Sequence, residues 1–529
     1  MLVEFNSNYR RLWMFPRAIR KIYPWKLAQI CQILDQISLN KWDQDIQNQF
    51  SELLTKGNLK SQNEIRDKRS GGARTYSAQL LGLGLLYKSK NQINFTLAGK
   101  SLINFETPLL VLQNQILNHQ YPSSYSSNRN VKVHPKIKIK PFVLVLKLLD
   151  DCEINYLTVD EFIFPVLYGH NNQCYDLIKA CILNYRTSNN ILQHIIDPIH
   201  DLHTPRSANK SNIDNLLKEV GNIANTCKNY LTSSSLAFEE PITKKIFKNP
   251  DFKEIIDDAI KSIEDFIPFE IGFDEQFLRN YGAWNKIKDN TVNITRKKLS
   301  KGEAIISSQF YKHIGNTLVT NNAEEFINEM ILNFGFKRSE VENVIEPLLT
   351  KSLTFFESRY LELSRGGALN AREFETATAE LFQKSLMIEA LHTGNQHKKG
   401  VGGYSDIILK NVELNECAII DTKASQYYTL SSADYAKMIS NYIPNYKTLT
   451  NEKLKLKFIL YVAGGFTGEI HSKLVSLYKE SGIFASAINA KSLIEIAQLN
   501  HLNSNLIWEK FKLNKVLSTS DFKEKDGNI

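Results

Sequence analysis

Cys417-Ala418-Ile419-Ile420-Asp421-Thr422-Lys423-Ala424 is the stretch on which the reading of this chain turns. Four apolar residues, two of them β-branched, predict a buried strand, and the polar residues follow at its end. Side chains alternate across a strand, so Asp421 and Lys423 share one face while Ile420 and Thr422 share the other. Fifteen residues upstream, Asp406 opens a second apolar run, Asp406-Ile407-Ile408-Leu409, after the glycine-rich turn Gly400-Val401-Gly402-Gly403. The connection Lys410–Glu416 is short enough for a hairpin, which would set Asp406 beside Asp421. From about Leu353 onward the pattern is helix, strand, strand, helix, strand.

Two carboxylates and one lysine converging on the end of a hairpin suit phosphodiester hydrolysis. The carboxylates can hold one or two Mg²⁺, a hard cation that prefers oxygen ligands. Lysine, compact and tunable when partly buried, can position or deprotonate the attacking water. A bare D-x-K is also what a structural ion pair near a strand end looks like; the aspartate on the neighbouring strand is what favours a site. Helix geometry adds a fourth residue. A helix read over Ala371–Ala390 turns Phe374, Thr378, Leu381, Phe382, Ser385 and Leu386 inward and leaves Glu375 at the edge of that face. A carboxylate there can reach a metal or its waters, or turn to solvent.

The chain has 529 residues, enough for two to four domains, and 43% hydrophobic with 23% charged residues is an ordinary globular composition. The first thirty residues carry six Arg and Lys and no uninterrupted apolar core, so no signal sequence is read there. The longest apolar runs are too short to span a bilayer. The six cysteines form no C-x-x-C pair, which argues against zinc ribbons and for a reducing, cytoplasmic setting.

The net charge of +9 is unevenly spread. Residues 1–150 hold 22 Lys and Arg against 9 Asp and Glu, a net of +13, and the other 379 residues hold 43 against 47, a net of −4. A polyanion-binding front end is expected, although a basic solvated surface has the same composition. Within that front end, a helix from Arg74 to Leu83, strands Leu85-Leu86-Tyr87 and Ile93–Leu97, and a helix from Ala98 follow the order of a winged helix. Just ahead lies Arg66-Asp67-Lys68-Arg69-Ser70-Gly71-Gly72-Ala73-Arg74, whose glycines permit close approach to a phosphate backbone and whose cations neutralise it. The same shape also occurs in protein-binding modules. A second unit of this order is read over the helix Ile213–Leu231, the hairpin Ser233–Phe247 and the helix Asp251–Phe266. Residues 285–345 read as a helical connector, with a boundary near Glu346-Pro347 because proline disfavours helix at the residue before it.

Residues from roughly 353 to 500 resemble the cleavage domain of the FokI type IIS restriction endonucleases, within the PD-(D/E)xK nuclease superfamily. The resemblance rests on Ala418–Ala424, on Leu430-Ser431-Ser432-Ala433-Asp434, and on Leu456–Gly468. Tyr404-Ser405-Asp406 stands where the family has Pro-Asp, with the aspartate kept. The resemblance implies Asp406 and Asp421 as metal ligands, the Thr422 carbonyl as a further oxygen, Lys423 as the general-base or water-positioning residue, and Glu375 as a helix glutamate seen in related enzymes. The front half is similar to the AlwI-type group of type IIS enzymes and their nicking relatives. That similarity rests on Leu12–Arg17, Arg66–Arg69, Phe95–Lys100, Gln120–Ser123 and Lys140–Leu146.

The expected fold is mixed α/β. A basic recognition domain with a winged helix is placed over residues 1–150, and a winged-helix-like recognition subdomain over 151–285. A helical linker is placed over 286–348, and the cleavage domain over 349–529. The expected activity is type IIS restriction: binding a short asymmetric duplex sequence and hydrolysing phosphodiesters a few base pairs outside it with Mg²⁺. A strand-specific nicking enzyme, the large subunit of a heterodimeric nuclease, and a non-catalytic DNA-binding protein are the alternatives. Candidate DNA-reading groups are Arg66, Lys68, Arg69, Arg74 and Gln79, since Arg suits guanine and Gln suits adenine in the major groove; most of them could equally contact phosphate. Expected partners are double-stranded DNA, a transient second copy through the Asp434 helix or a small subunit, and a companion DNA methyltransferase, with no membrane. In the FokI family an acidic and a basic residue pair on that helix. Here the basic position falls on Met438, with Lys437 one residue earlier, so the salt-bridge detail does not carry over.

Overall fold

A computed structural model describes residues 12–16, 22–37, 42–57, 59, 71–89, 92–104, 107–127, 133–188, 190, 213–284, 300–315, 317–318, 323–349, 352–393, 403–450, 454–499 and 503–523. The chain packs as two compact units. One comprises residues through Glu239 together with Lys244–Lys312 and Met330–Ile345; the other comprises Glu240–Thr243, His313–Glu329 and Glu346–Ile529. Among the described residues no helix is long and apolar enough to cross a membrane.

The first unit is mostly helical. Its helix Gly71–Gly82 leads into a two-stranded antiparallel hairpin, β1 (Leu86–Ser89) and β2 (Gln92–Phe95), followed by the helix Leu97–Ile103. Thr96 starts that last helix twice over: its Oγ1 accepts from Gly99 N at 3.2 Å and donates to Gly84 O at 2.7 Å. The hairpin is also covered by a helix far along the chain, Asp274–Tyr281, whose Phe277, Leu278 and Tyr281 pack on Tyr87. Gly282 extends the contact, its carbonyl accepting from Ala98 N at 2.8 Å. A second helix–hairpin–helix is present as Ile213–Ser233, β3 (Ala237–Glu239) with β4 (Ile246–Lys248), and Lys253–Lys261. Gly99 is fixed by sterics, since a Cβ there would stand 2.1 Å from the Leu85 carbonyl oxygen. Backbone cannot yield as a side-chain tip can, so Gly99→Ala is expected to cost about 1–3 kcal/mol. Calorimetry should show the first unit melting several degrees earlier and the second unit unchanged.

The second unit is built on one six-stranded sheet: β5 (Glu389–His392), β6 (Ile407–Asn411), β7 (Glu416–Thr422), β8 (Lys455–Ala463), β9 (Phe484–Asn489) and β10 (Val516–Leu517). They lie side by side in the order β10-β9-β8-β7-β6-β5, with β5, β6 and β7 antiparallel and β7 through β10 parallel. The parallel strands are buried on both faces, as their continuous apolar runs require. On one face Ile408, Cys417, Ile419, Ile459 and Tyr461 pack with Leu430 and with Met438, Leu474 and Leu477 from the helical segments 432–449 and 470–481. On the other, Phe458 packs edge-on against Trp508 at 4.8 Å between centroids and beside Phe511, which in turn meets Phe382 of the helix Ala371–Lys384. The mixed α/β class read from the sequence is what the chain adopts.

Two local expectations are corrected. The helix read through Ala390 stops at Lys384, and Glu389–His392 instead forms the edge strand β5; Met387, at φ 54°, turns the chain between them. Pro347 does not end a helix: Arg338–Leu349 runs through it, and the two units divide after Ile345 inside that helix.

Candidate active site

The register of β6 on β7 builds the site. Ile407 pairs with Ile420, so Asp406, one residue ahead of β6, comes alongside Asp421. The turn that makes this possible is four residues long, with Asn415 at φ 54° and Leu414 N held by Asn411 Oδ1 at 3.1 Å. Thr422 fixes Asp406: its N–H and its hydroxyl both donate to Asp406 Oδ2, at 2.7 and 3.0 Å. Asp406 Oδ1 accepts no hydrogen bond from the described residues. Asp421 is 2% exposed, and Lys423 Nζ lies 3.0 Å from its Oδ1 and 2.9 Å from its Oδ2. The lysine backbone is pinned in turn, its N–H donating to Val462 O of β8 at 2.8 Å.

This crowding shifts the ionisable groups. Burial, with Asp421 and Glu375 nearby, pushes the Asp406 carboxyl up to about 8 against the opposing Thr422 N–H and Lys423. Asp421 is also raised by burial, against the pull of Lys423. Burial of Lys423 works against its charge, but Asp421 and Asp406 outweigh it and raise its pKa. Two buried carboxylates, with one lysine bound to Asp421, form a place that is short of positive charge.

Glu375, in the helix Ala371–Lys384, lies near enough to Asp406 for its charge to raise that carboxyl's pKa. Its Oε2 is 3.4 Å from His392 Nε2 on β5. Three tyrosines that the sequence reading missed surround the carboxylates. Tyr428 lies 5.9 Å, ring centroid to Nζ, from Lys423 and donates its hydroxyl to Asp434 Oδ2 at 3.1 Å. Tyr461 is the parallel register partner of Asp421, and its buried hydroxyl has no hydrogen-bond partner among the described residues. Tyr442 is raised by burial and by Asp421 and Asp406. Alternation along β8 could have pointed to Tyr461; Tyr442 comes from a helix face that no strand pattern reveals.

Among the described residues no three His, Cys, Asp or Glu side chains are spaced to enclose a metal ion. Mg²⁺ needs no such cage, since it keeps several waters and takes one or two carboxylates. The donor set fits: hard oxygens from Asp406 and Asp421, an unengaged Asp406 Oδ1, and a free Tyr461 hydroxyl for a water.

The DNA-reading candidates fare differently. Arg74 is exposed on the helix Gly71–Gly82. Gln79, on the same helix, is 2% exposed with its Nε2 3.5 Å from Tyr230 OH. Gln79 is therefore a core residue and not a reader of base edges. Arg66, Lys68 and Arg69 lie outside the described residues.

Residues 335–519 match the family model described as FokI, cleavage domain. A comparison with curated proteins finds no match. Among solved structures, the chain is similar to the BpuJ1 endonuclease binding domain, crystallised with pyrene- and phenanthrene-modified DNA. The identity is 15%, covering 53% of this chain and 100% of that one, at a TM-score of 0.37. It is also similar to restriction endonuclease FokI, at 12% identity over 97% of this chain and 100% of that one, with a TM-score of 0.27. FokI bound to DNA gives 12%, 96%, 100% and 0.27 in the same order. Over residues 335–519, with Asp406, Asp421 and Lys423 at the end of its sheet, the chain carries a FokI-type cleavage domain and is a DNA endonuclease.

Proposed function

We propose that this protein is a type IIS restriction endonuclease, with an AlwI-type recognition half. Its basic front half holds a short asymmetric duplex sequence, and its cleavage domain cuts a few base pairs outside it with Mg²⁺. The observation that carries this reading is the Asp406–Asp421–Lys423 cluster, built inside the FokI-type segment and joined to 150 residues of net charge +13. The helix–hairpin–helix around β1 and β2 is the proposed winged helix, with Arg74 on its exposed side.

Asp406, Asp421 and the Thr422 carbonyl would hold the cation. When bound, Mg²⁺ neutralises charge developing on the scissile phosphate and makes a nearby water more acidic. The protein's own groups do the rest. Thr422 orients Asp406 through two hydrogen bonds, so its free Oδ1 is aimed by the backbone of the neighbouring strand. Lys423, kept charged by Asp421, donates hydrogen bonds, which suits it to orient the attacking water and the phosphate oxygen. Glu375 adds a third carboxylate beside Asp406.

One observation favours a second reading, a nicking enzyme or the large subunit of a heterodimeric nuclease. Asp434 is engaged by Tyr428 OH, and Met438 is 1% exposed, so the acidic–basic pair of the FokI helix is not reproduced here. Under either reading a companion DNA methyltransferase would protect host sites. Digestion of a supercoiled plasmid library followed by run-off sequencing tests both. Linear product with one fixed offset on each strand, lost with EDTA, is the expected result; open-circle product alone selects the second reading. No cutting with Mg²⁺ or Mn²⁺ would sink both.

A further inference from the structure

Of the three carboxylates of the site, Asp421 and Glu375 each meet a nitrogen group, and only one of those two contacts has been given a role. In the first, Lys423 binds Asp421. In the other, His392 Nε2 faces Glu375 Oε2 at 3.4 Å, with the two side chains 16% and 19% exposed. The pair is satisfied by the tautomer that presents an Nε2–H to the carboxylate. His392 ends the edge strand β5, where it pairs with Ile407; the next residue, Thr393, donates its N–H to the Asp406 carbonyl at 2.9 Å. Alternation puts Leu391 with Ile408 on the face packed by the segment 432–449, and His392 on the opposite face, where the helix Ala371–Lys384 lies. The histidine is thus anchored to the same backbone that carries Asp406, and it grips a carboxylate arriving from a separate helix.

A helix glutamate at the edge of a buried face has several rotamers, and most lead to solvent. The geometry points to His392 as the positioning residue that holds Glu375 toward Asp406, making it a third carboxylate for the hydration shell of a divalent cation. Mg²⁺ takes one or two carboxylates and keeps several waters, so Glu375 would act through those waters. Residues that orient a metal's own ligands change cation affinity by about 10- to 100-fold when removed, and a partner one hydrogen bond further out is expected at the lower end. The inference rests on the cation site proposed above, and its test is chosen so that the two fail separately.

Mn²⁺ binding to the full chain, followed by the electron paramagnetic resonance of the free ion and without DNA, reads the site independently of cleavage. His392→Ala is expected to weaken Mn²⁺ by about tenfold or more. His392→Gln, which can present an N–H near the position of Nε2, should restore most of it. His392→Phe keeps the ring volume without a donor and should repeat the loss, which covers the case of an Ala variant that folds poorly. Glu375→Gln should weaken binding by a similar factor, and combining it with His392→Ala should add nothing, as expected for two residues acting as one unit. Wild-type Mn²⁺ affinity in His392→Phe, or fully additive losses in the double variant, overturns the inference. If that happens while Asp421→Ala loses Mn²⁺, only the role of His392 falls. If Asp421→Ala also binds like wild type, the cation site falls with it.

Discussion

Asp421→Ala is expected to reduce cleavage by at least about 10³-fold while sequence-specific DNA binding survives, because it removes a carboxylate around which charge is organised for the reaction. Lys423→Ala should match it in cleavage and differ from it in stability. Taking away Asp421 leaves a lysine that is 25% exposed and can turn to water, whereas taking away Lys423 leaves a carboxylate that is 3% exposed with no counter-charge. Breaking a buried pair from the lysine side is the costly direction, of order 3–5 kcal/mol if the carboxylate stays ionised. The Lys423→Ala cleavage unit should therefore melt earlier at pH 8 than at pH 5, where its orphaned carboxyl can be protonated. Gel-shift assays in Ca²⁺ or EDTA check the binding half, and plasmid cleavage in Mg²⁺ the catalytic half. Retained cutting by either variant would remove the site assignment.

Asp406→Asn is expected to abolish cutting and, without divalent cations, to stabilise the protein. The folded-state pKa of Asp406 is raised from 3.8 to about 8. A group raised in this way supports the fold while protonated: its contribution is complete below the unfolded value and is lost as pH rises toward and through the folded value. At pH 8 in EDTA the wild-type unit therefore carries a penalty that the neutral asparagine lacks. Asn keeps an oxygen for the two Thr422 donors, so the penalty is removed without orphaning a hydrogen bond. A gain of about 1–2 kcal/mol at pH 8, shrinking toward zero by pH 4, is the expected scale. Thermal melts across pH 4–8 in EDTA measure it. A variant melting below wild type at pH 8 would show that Asp406 is not under this strain.

The hairpin carrying Asp406 and Asp421 was legible because two local signals agreed: apolar runs of strand length and a short polar turn between them. Glu375 was legible for a similar reason, since helical periodicity put it on the edge of the buried face. What failed was decided by distant parts of the chain. Gln79 looked like a surface group in a basic segment, but Tyr230, 151 residues away, covers it. β5 is four residues at a sheet edge, and its pairing with β6 decides its structure where Glu389-Ala390-Leu391-His392 shows no strand alternation of its own. The tyrosines around the carboxylates are drawn from the irregular segment after β7, from β8 and from a helical segment. The helix Asp274–Tyr281, which covers the β1–β2 hairpin, belongs to that hairpin in space alone.

The interleaving of the two units along the chain bears on how the nuclease could be excised. The family match begins at residue 335, and the last division between units falls after Ile345. Yet residues 313–329 pack as part of the nuclease unit, where Lys384 Nζ, at the end of the helix that carries Glu375, donates to Leu318 O at 3.0 Å. A fragment cut at either of the later points would keep every proposed catalytic side chain and still lose a piece of the scaffold under the Glu375 helix. For grafting onto a foreign DNA-binding module, residues 313–329 belong with the nuclease.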